Sequence, residues 1–318
     1  MRKTTEIFTS QLPVGEKLTI KRTRFKPEEK KGKKLKRICL VSGIHGDELE
    51  GQLVIYSLAK WLNNNMDKLD AIVDIYPAVN PLGIDTITRS FPNYDVDLNR
   101  AFPGGEDDFL PGQVVHSLTK DIKGSDIAID IHSSNIFLRE IPQIRINKMF
   151  SKETLPLAKE LNCDFIWIHD AVTVLEATFS HTLNSLGTKT LVVEMGVGMR
   201  LTKEYSKQLT LGILNLMKKE GMIKTDEEFN IRTPFSSEVG DVFYINAPKS
   251  GLFVPSLDHC DVIKKDQKIG QIVSPLTGEI LSELFAPSGG ILFTLREYPV
   301  VYEGSLLARI FGEKIEKN

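Results

Sequence analysis

Ile38-Cys39-Leu40-Val41-Ser42-Gly43-Ile44-His45-Gly46-Asp47-Glu48 is the stretch that decides the fold. Its first six residues form a short apolar run closed by glycine, the pattern of a buried strand. A sharp turn follows at Gly43-Ile44-His45-Gly46-Asp47, and residues 48–62 then carry Leu49, Leu53, Ile55, Leu58 and Leu62 at helical spacing. Strand, tight turn and helix in that order is the opening unit of an α/β protein.

The alternation continues downstream. Residues 70–79 read as a second strand ending at the loop Asn80-Pro81-Leu82-Gly83, Asp126-Ile127-Ala128-Ile129-Asp130-Ile131 as a third, and Thr190-Leu191-Val192-Val193 as a fourth. Residues 155–161 and 203–219 are expected helices. The fold class is therefore α/β, a mixed, largely parallel sheet flanked by helices, in which ligands bind outside the carboxyl ends of the strands. Upstream, residues 21–37 hold the one conspicuous charge run, with Lys30-Lys31-Gly32-Lys33-Lys34, and read as a solvated hairpin loop.

Beyond about residue 224 the texture changes to short β-like runs broken by Gly and Pro, such as Val242-Phe243-Tyr244-Ile245 and Lys268-Ile269-Gly270-Gln271-Ile272-Val273. Two related phrases, Ala247-Pro248-Lys249-Ser250-Gly251-Leu252-Phe253 and Ala286-Pro287-Ser288-Gly289-Gly290-Ile291-Leu292-Phe293, suggest a small barrel made of two similar halves. The expected organisation is a larger domain over residues 1–225 and a smaller C-terminal all-β domain, a β-sandwich or barrel, over residues 226–318.

With 41% hydrophobic and 26% charged residues among 318, the chain can bury a core. A formal net charge of −2 supplies no field for nucleic acid or an anionic membrane, so a small-molecule partner is expected. Cys39, Cys163 and Cys260 are widely separated and odd in number, and read as buried small hydrophobes. The N-terminus, Met1-Arg2-Lys3-Thr4-Thr5-Glu6-Ile7-Phe8, has no apolar h-region and no stretch approaches the roughly 18 apolar residues that cross a bilayer, so a cytoplasmic protein is expected.

Four polar motifs carry the chemistry. In His45-Gly46-Asp47-Glu48 an imidazole and a carboxylate three residues apart can reach one cation from the first helical turn; alone, such a pair is more often a helix cap with a solvated acid. In Asp130-Ile131-His132-Ser133-Ser134 a histidine leaves a buried strand, which alone is usually a core residue. Joined, His45, Glu48 and His132 make a His/Glu/His set, typical of zinc sites that keep a fourth position open. Asp130, two residues back on the same strand face, is either an outer acceptor for His132 or a structural acid.

Asp97-Leu98-Asn99-Arg100 lies in a Gly/Pro-rich loop, where Arg100 offers a fork of donors suited to a carboxylate and Asn99 a neutral donor; pairing of Arg100 with Asp95 or Asp97 is the alternative. Glu194 ends the apolar run Leu191-Val192-Val193, where it is either salt-bridged or placed as a general base beside the metal.

These motifs in this order resemble the succinylglutamate desuccinylase/aspartoacylase family, itself similar in fold to the zinc carboxypeptidases, over residues 15–310. The resemblance implies that His45, Glu48 and His132 hold one Zn²⁺ per chain, that Asn99 and Arg100 hold the substrate carboxylate, that Glu194 acts as general base and then acid, and that Arg89 polarises the scissile carbonyl. The stretch between Arg89 and Asp97 is longer than in aspartoacylases. No arginine occurs in residues 180–189, where aspartoacylases place one for the aspartate side chain. Arg145, an isolated base between apolar residues, is a further substrate-binding candidate. His116, His169, His181 and His259 read as surface or core residues. The tail resembles lipoyl- or biotinyl-type barrels but lacks the Met-Lys-Met turn that would carry a covalent cofactor.

The expected function is zinc-dependent hydrolysis of an amide bond in a small N-acyl amino acid or N-acylated amine. A zinc carboxypeptidase acting on peptides and a metal-free ligand-binding protein are the alternatives; a homo-oligomer is left open.

Overall fold

The structure, a computed structural model, describes residues 1–28, 34–170, 176–238 and 240–313. Its strands are β1 (Arg2–Gln11), β2 (Lys17–Phe25), β3 (Arg37–Ser42), β4 (Ile72–Tyr76), β5 (Ile127–Ser133), β6 (Leu138–Asn147), β7 (Phe165–His169) and β8 (Lys189–Gly196). The chain continues through β9 (Phe235–Ser236), β10 (Gly240–Asn246), β11 (Gly251–Pro255), β12 (Val262–Ile263), β13 (Lys268–Val273), β14 (Ile280–Phe285), β15 (Gly290–Arg296), β16 (Val300–Val301) and β17 (Leu306–Glu313). The helices are α1 (Glu50–Asn64), α2 (Pro81–Thr86), α3 (Leu110–Ile122), α4 (Ser151–Ala158), α5 (Phe179–Ser185) and α6 (Lys203–Lys219).

The large sheet runs β1-β2-β4-β3-β5-β8-β6 and then on through β15, β17 and β10. Its centre is parallel: β3 pairs with β4 and β5, and β5 with β8. The strand period of two sorts the side chains between two cores. Ile38 and Leu40 of β3, with Ile127, Ile129 and Ile131 of β5, face one core against Val54, Leu58 and Leu62 of α1 and Leu209 and Ile213 of α6. Cys39 and Val41 face the other, against Val114, Val115 and Leu118 of α3 and Phe179 and Leu183 of α5. Each fully buried Leu, Ile or Val contributes about 1.5–3 kcal/mol relative to exposure, which explains why these uninterrupted apolar runs settle at the centre. The expected mixed, largely parallel sheet with helices on both faces is what forms.

Residues 29–33 of the basic run lie outside the described residues. The strands flanking it are not a hairpin, because β2 pairs with β4 from one side and β3 from the other. Asp74 of β4 gathers the nearby charge instead. It is fully buried and accepts from Arg24 Nε and Nη2 and from Arg37 Nε, each at 2.7 Å. An Asp74→Ala variant would leave those guanidiniums uncompensated and is expected to lose about 3–5 kcal/mol of stability in denaturant titration; a loss under about 1 kcal/mol would mean that solvent already screens them.

The C-terminal strands extend the same sheet, since Thr294 and Leu295 of β15 pair with Glu140 and Arg139 of β6. A second sheet, β14-β13-β11-β16, packs on them around Ile245, Phe253, Ile269 and Leu292. The two related phrases occupy equivalent places. The first carries the chain from β10 in the large sheet to β11 in the small one, and the second carries it back from β14 to β15. Ala247 exchanges backbone hydrogen bonds with Ser305 and Gly304, and Ala286 does so with Gln267 and Asp266. Cys39 and Cys163 are buried as expected, burial pushing the Cys39 thiol up to about 12, but Cys260 is exposed. Among the described residues no helix is long and apolar enough to cross a membrane.

Candidate metal centre and active-site cavity

His45 and Glu48 are not on the first helical turn, as expected from sequence; α1 begins only at Glu50, and both residues belong to the turn that precedes it. The turn is closed by Glu48 N donating to His45 O at 3.4 Å and tied outward by Met199 N donating to Asp47 O at 2.7 Å. Only glycine fits at position 46, where an added Cβ would lie 2.0 Å from the backbone carbon of Gly83 in α2. His132 stands near the carboxyl end of β5, in register with Glu194 of β8. Because Ile131 and Val193 face the α1/α6 core, His132 and Glu194 face the other side of the sheet, together with Asp130.

The three residues converge. One ligand atom from each of His45, Glu48 and His132 lies within 4.8 Å of the others, and all three are buried. His45 Nδ1 is 2.9 Å from Glu48 Oε1, and His132 Nδ1 is 2.8 Å from Glu48 Oε2. The outer nitrogens are braced by carboxylates: His45 Nε2 is 2.9 Å from Asp97 Oδ1, and His132 Nε2 is 2.8 Å from Asp130 Oδ2. Carboxylate–imidazole pairs of this kind fix the ring so that the other nitrogen faces a metal. His45 Nδ1 fits that reading closely. It is buried and 2.9 Å from a carboxylate oxygen, yet not aligned for a hydrogen bond with it. Two imidazoles and one carboxylate around a shared point suit a zinc-type ion with an open position.

Electrostatics tie the three groups to one another. Burial would raise the Glu48 carboxyl, but the charges of His45 and His132, with the hydrogen bond from His132, hold it far below the ordinary carboxylate range. Burial lowers both histidines, and this is overcome by Glu48 and Asp97 at His45 and by Asp130 and Glu48 at His132, so both end above their usual value. A metal must displace those protons. Affinity is therefore expected to fall as pH drops through the raised histidine range, and binding at pH 7 to release protons. Calorimetry in buffers of different ionisation enthalpy checks this; an enthalpy independent of the buffer would contradict it.

The metal group opens into a cavity of about 420 Å³ lined by each sequence-predicted site residue. Arg89 reaches the centre, with Nη1 2.6 Å from Glu48 Oε1 and Nη2 3.3 Å from Asp97 Oδ2. Asn99 Oδ1 accepts from Phe179 N at 2.9 Å, which anchors the loop to α5. Arg100 is exposed and donates to the Asn99 carbonyl at 2.7 Å; among the described residues it has no carboxylate at ion-pair distance, so the pairing with Asp95 or Asp97 does not form. Arg145 Nη1 lies 3.3 Å from Glu194 Oε1. Burial raises the Glu194 carboxyl, and the lowering by Arg145 and His132 does not offset it.

Other residues of the wall were not legible as such. His169 and His181 were expected on the surface or in the core, yet both line the cavity, because β7 lies beside β6 and α5 packs beside β8. Glu140 and Arg309 join them: Arg309 Nη1 of β17 donates to Glu140 Oε1 at 2.5 Å, so the C-terminal strands contribute to the cavity. Nothing in the sequence links residues 140 and 309.

The catalytic-domain model of the succinylglutamate desuccinylase/aspartoacylase family matches residues 34–219. The chain belongs to that family of deacylases. No match is found among curated proteins. Among solved structures the chain is similar to a succinylglutamate desuccinylase/aspartoacylase from Rhodobacter sphaeroides, at 23% identity and a TM-score of 0.81, covering 99% of this chain and 96% of that one. It is also similar to the product-bound ectoine utilization protein EutE (DoeB) from Ruegeria pomeroyi, at 17% identity and a TM-score of 0.82, covering 98% and 95%. An aspartoacylase family protein from Mesorhizobium loti matches at 19% identity and a TM-score of 0.77, covering 99% and 96%. At these identities the likeness is one of fold.

Proposed function

We propose that the chain is a zinc-dependent amidohydrolase that removes the acyl group from a small N-acyl amino acid or N-acylated amine. The observation that carries this reading is the convergence of His45, Glu48 and His132, with both outer imidazole nitrogens braced by Asp97 and Asp130 and with Glu194 beside His132 on the neighbouring strand. Zinc in such a site supplies Lewis acidity, polarising the scissile carbonyl and acidifying water.

The chain's own groups do the rest. Glu194, its carboxyl raised by burial, is poised to take a proton from the attacking water and to return it to the leaving nitrogen. Arg89, held between Glu48 and Asp97, donates toward the oxyanion as the carbonyl becomes tetrahedral. Arg100 and Asn99 at the rim hold the substrate carboxylate, which fixes orientation. Walls contributed by residues from His45 to Arg309, the C-terminal strand β17 among them, bound the cavity, which favours a small substrate over a peptide.

The test is metal content of the purified protein, followed by chelation and zinc restoration with turnover of N-acetyl amino acids as the readout. Activity that follows zinc supports the reading. A folded protein without zinc, whose behaviour is indifferent to the chelator, sinks it.

A further inference from the structure

We propose that the substrate carries a single carboxylate and that its second arm is uncharged; this rests on the deacylase reading above and names the substrate class. It follows from the charges in the cavity wall. The charge of Arg89 is already balanced by Glu48 and Asp97. Arg145 divides itself between Glu140 at 3.0 Å and Glu194 at 3.3 Å, and Arg309 pairs with Glu140, so two guanidiniums face two carboxylates and the cluster is neutral. Arg100 remains as the wall's guanidinium with no carboxylate at ion-pair distance among the described residues, enough for one anionic group.

The other part of the wall is electrically neutral: Asn147, Phe150, Thr154, Asn184, Thr190 and Val192. Its polar atoms are largely spoken for. Asn184 gives Nδ2 to Thr190 O and receives Thr190 N, and Thr154 Oγ1 donates to Phe150 O. His169 is held below its ordinary pKa by burial and by the charge of Arg145, which keeps its imidazole neutral. His181 packs edge-on to Phe150 with ring centroids 5.5 Å apart. A second carboxylate entering here would give up its hydration without meeting an uncommitted cation, and an ammonium would find Glu140 and Glu194 already paired. An amide or alkyl arm meets no such cost.

Nα-acetylglutamine, Nα-acetylglutamate and Nα-acetylornithine separate the three cases, the first two being nearly isosteric. Both kcat/KM and binding by calorimetry are measured on the zinc-loaded full chain. The glutamine derivative is expected to lead both others by about 10-fold or more in each readout. Equal or better binding or turnover of the glutamate or ornithine derivative, or no binding of any of the three, overturns the proposal. Selective binding of the glutamine derivative with no cleavage leaves the proposal standing and removes the deacylase reading. A Glu140→Gln variant, which leaves Arg145 and Arg309 facing Glu194 alone, is expected to shift the glutamine-to-glutamate ratio toward glutamate by about 10-fold; an unchanged ratio in a folded variant overturns the charge argument.

Discussion

Replacing Glu194 with alanine is expected to lower turnover by about 10²–10⁴-fold while the zinc content stays at the wild-type level. The two halves of that expectation come from different parts of the geometry. The metal group is His45, Glu48 and His132, to which Glu194 is a neighbour in strand register and not a member. Its loss leaves the ligands and their braces in place. Glu194 is nevertheless the cavity carboxyl raised by burial and paired in register with His132, so removing it takes away the group proposed to move the proton. Arg145 would retain Glu140 as a partner, which keeps that wall from collapsing. Metal analysis with steady-state kinetics decides the matter. Turnover within about 3-fold of wild type, in a variant shown to hold zinc, would remove Glu194 from the mechanism.

His132→Ala is the second large effect, and here the metal itself goes. The substitution deletes one of the three proposed ligands and leaves Asp130 facing a gap. Activity should drop to background, and zinc should dialyse away. Asp130→Asn, which keeps the ligand and weakens only its brace, should cost about 10–100-fold in metal affinity. The contrast between ligand and brace is the informative measurement. The fold should survive both changes, because Ile127, Ile129 and Ile131 anchor β5 on the opposite face of the sheet. A His132→Ala protein that retained stoichiometric zinc would show that the ion sits elsewhere.

The parts of the molecule legible in the sequence share a physical cause. Strands β3, β5 and β8 are buried on both faces and therefore read as apolar runs, and each ends in a residue of the candidate site or leads directly into one. Strand β6 did not announce itself. Its sequence, Leu138-Arg139-Glu140-Ile141-Pro142-Gln143-Ile144-Arg145-Ile146-Asn147, places Glu140 and Arg145 on the cavity wall and interrupts the alternation with a proline and a register shift. The charges that make β6 useful are what hide it. Helix α1 is recognisable from its spacing, but the spacing starts it two residues early, because Glu48 continues the apparent pattern while its backbone is still in the turn. For the site, motif order brought His45, Glu48 and His132 together, and Asp130 followed from strand parity. Asp97 as the brace of His45, and Arg309 opposite Glu140, depend on contacts over 52 and 169 residues of chain. No local pattern encodes such a contact.

Trp167 of β7 lies under two guanidiniums, with Arg145 and Arg309 each 5.5 Å from its ring. The protein's other tryptophan, Trp61, sits on α1 near Lys68, on the far side of the sheet from the cavity. An indole between two cations is sensitive to any change in their field. With Trp61 replaced by phenylalanine, the fluorescence of the remaining tryptophan becomes an optical reporter on both halves of the chain at once: its emission would register ligands that draw Arg145 aside as well as any loosening of the C-terminal strand that brings Arg309 to the ring.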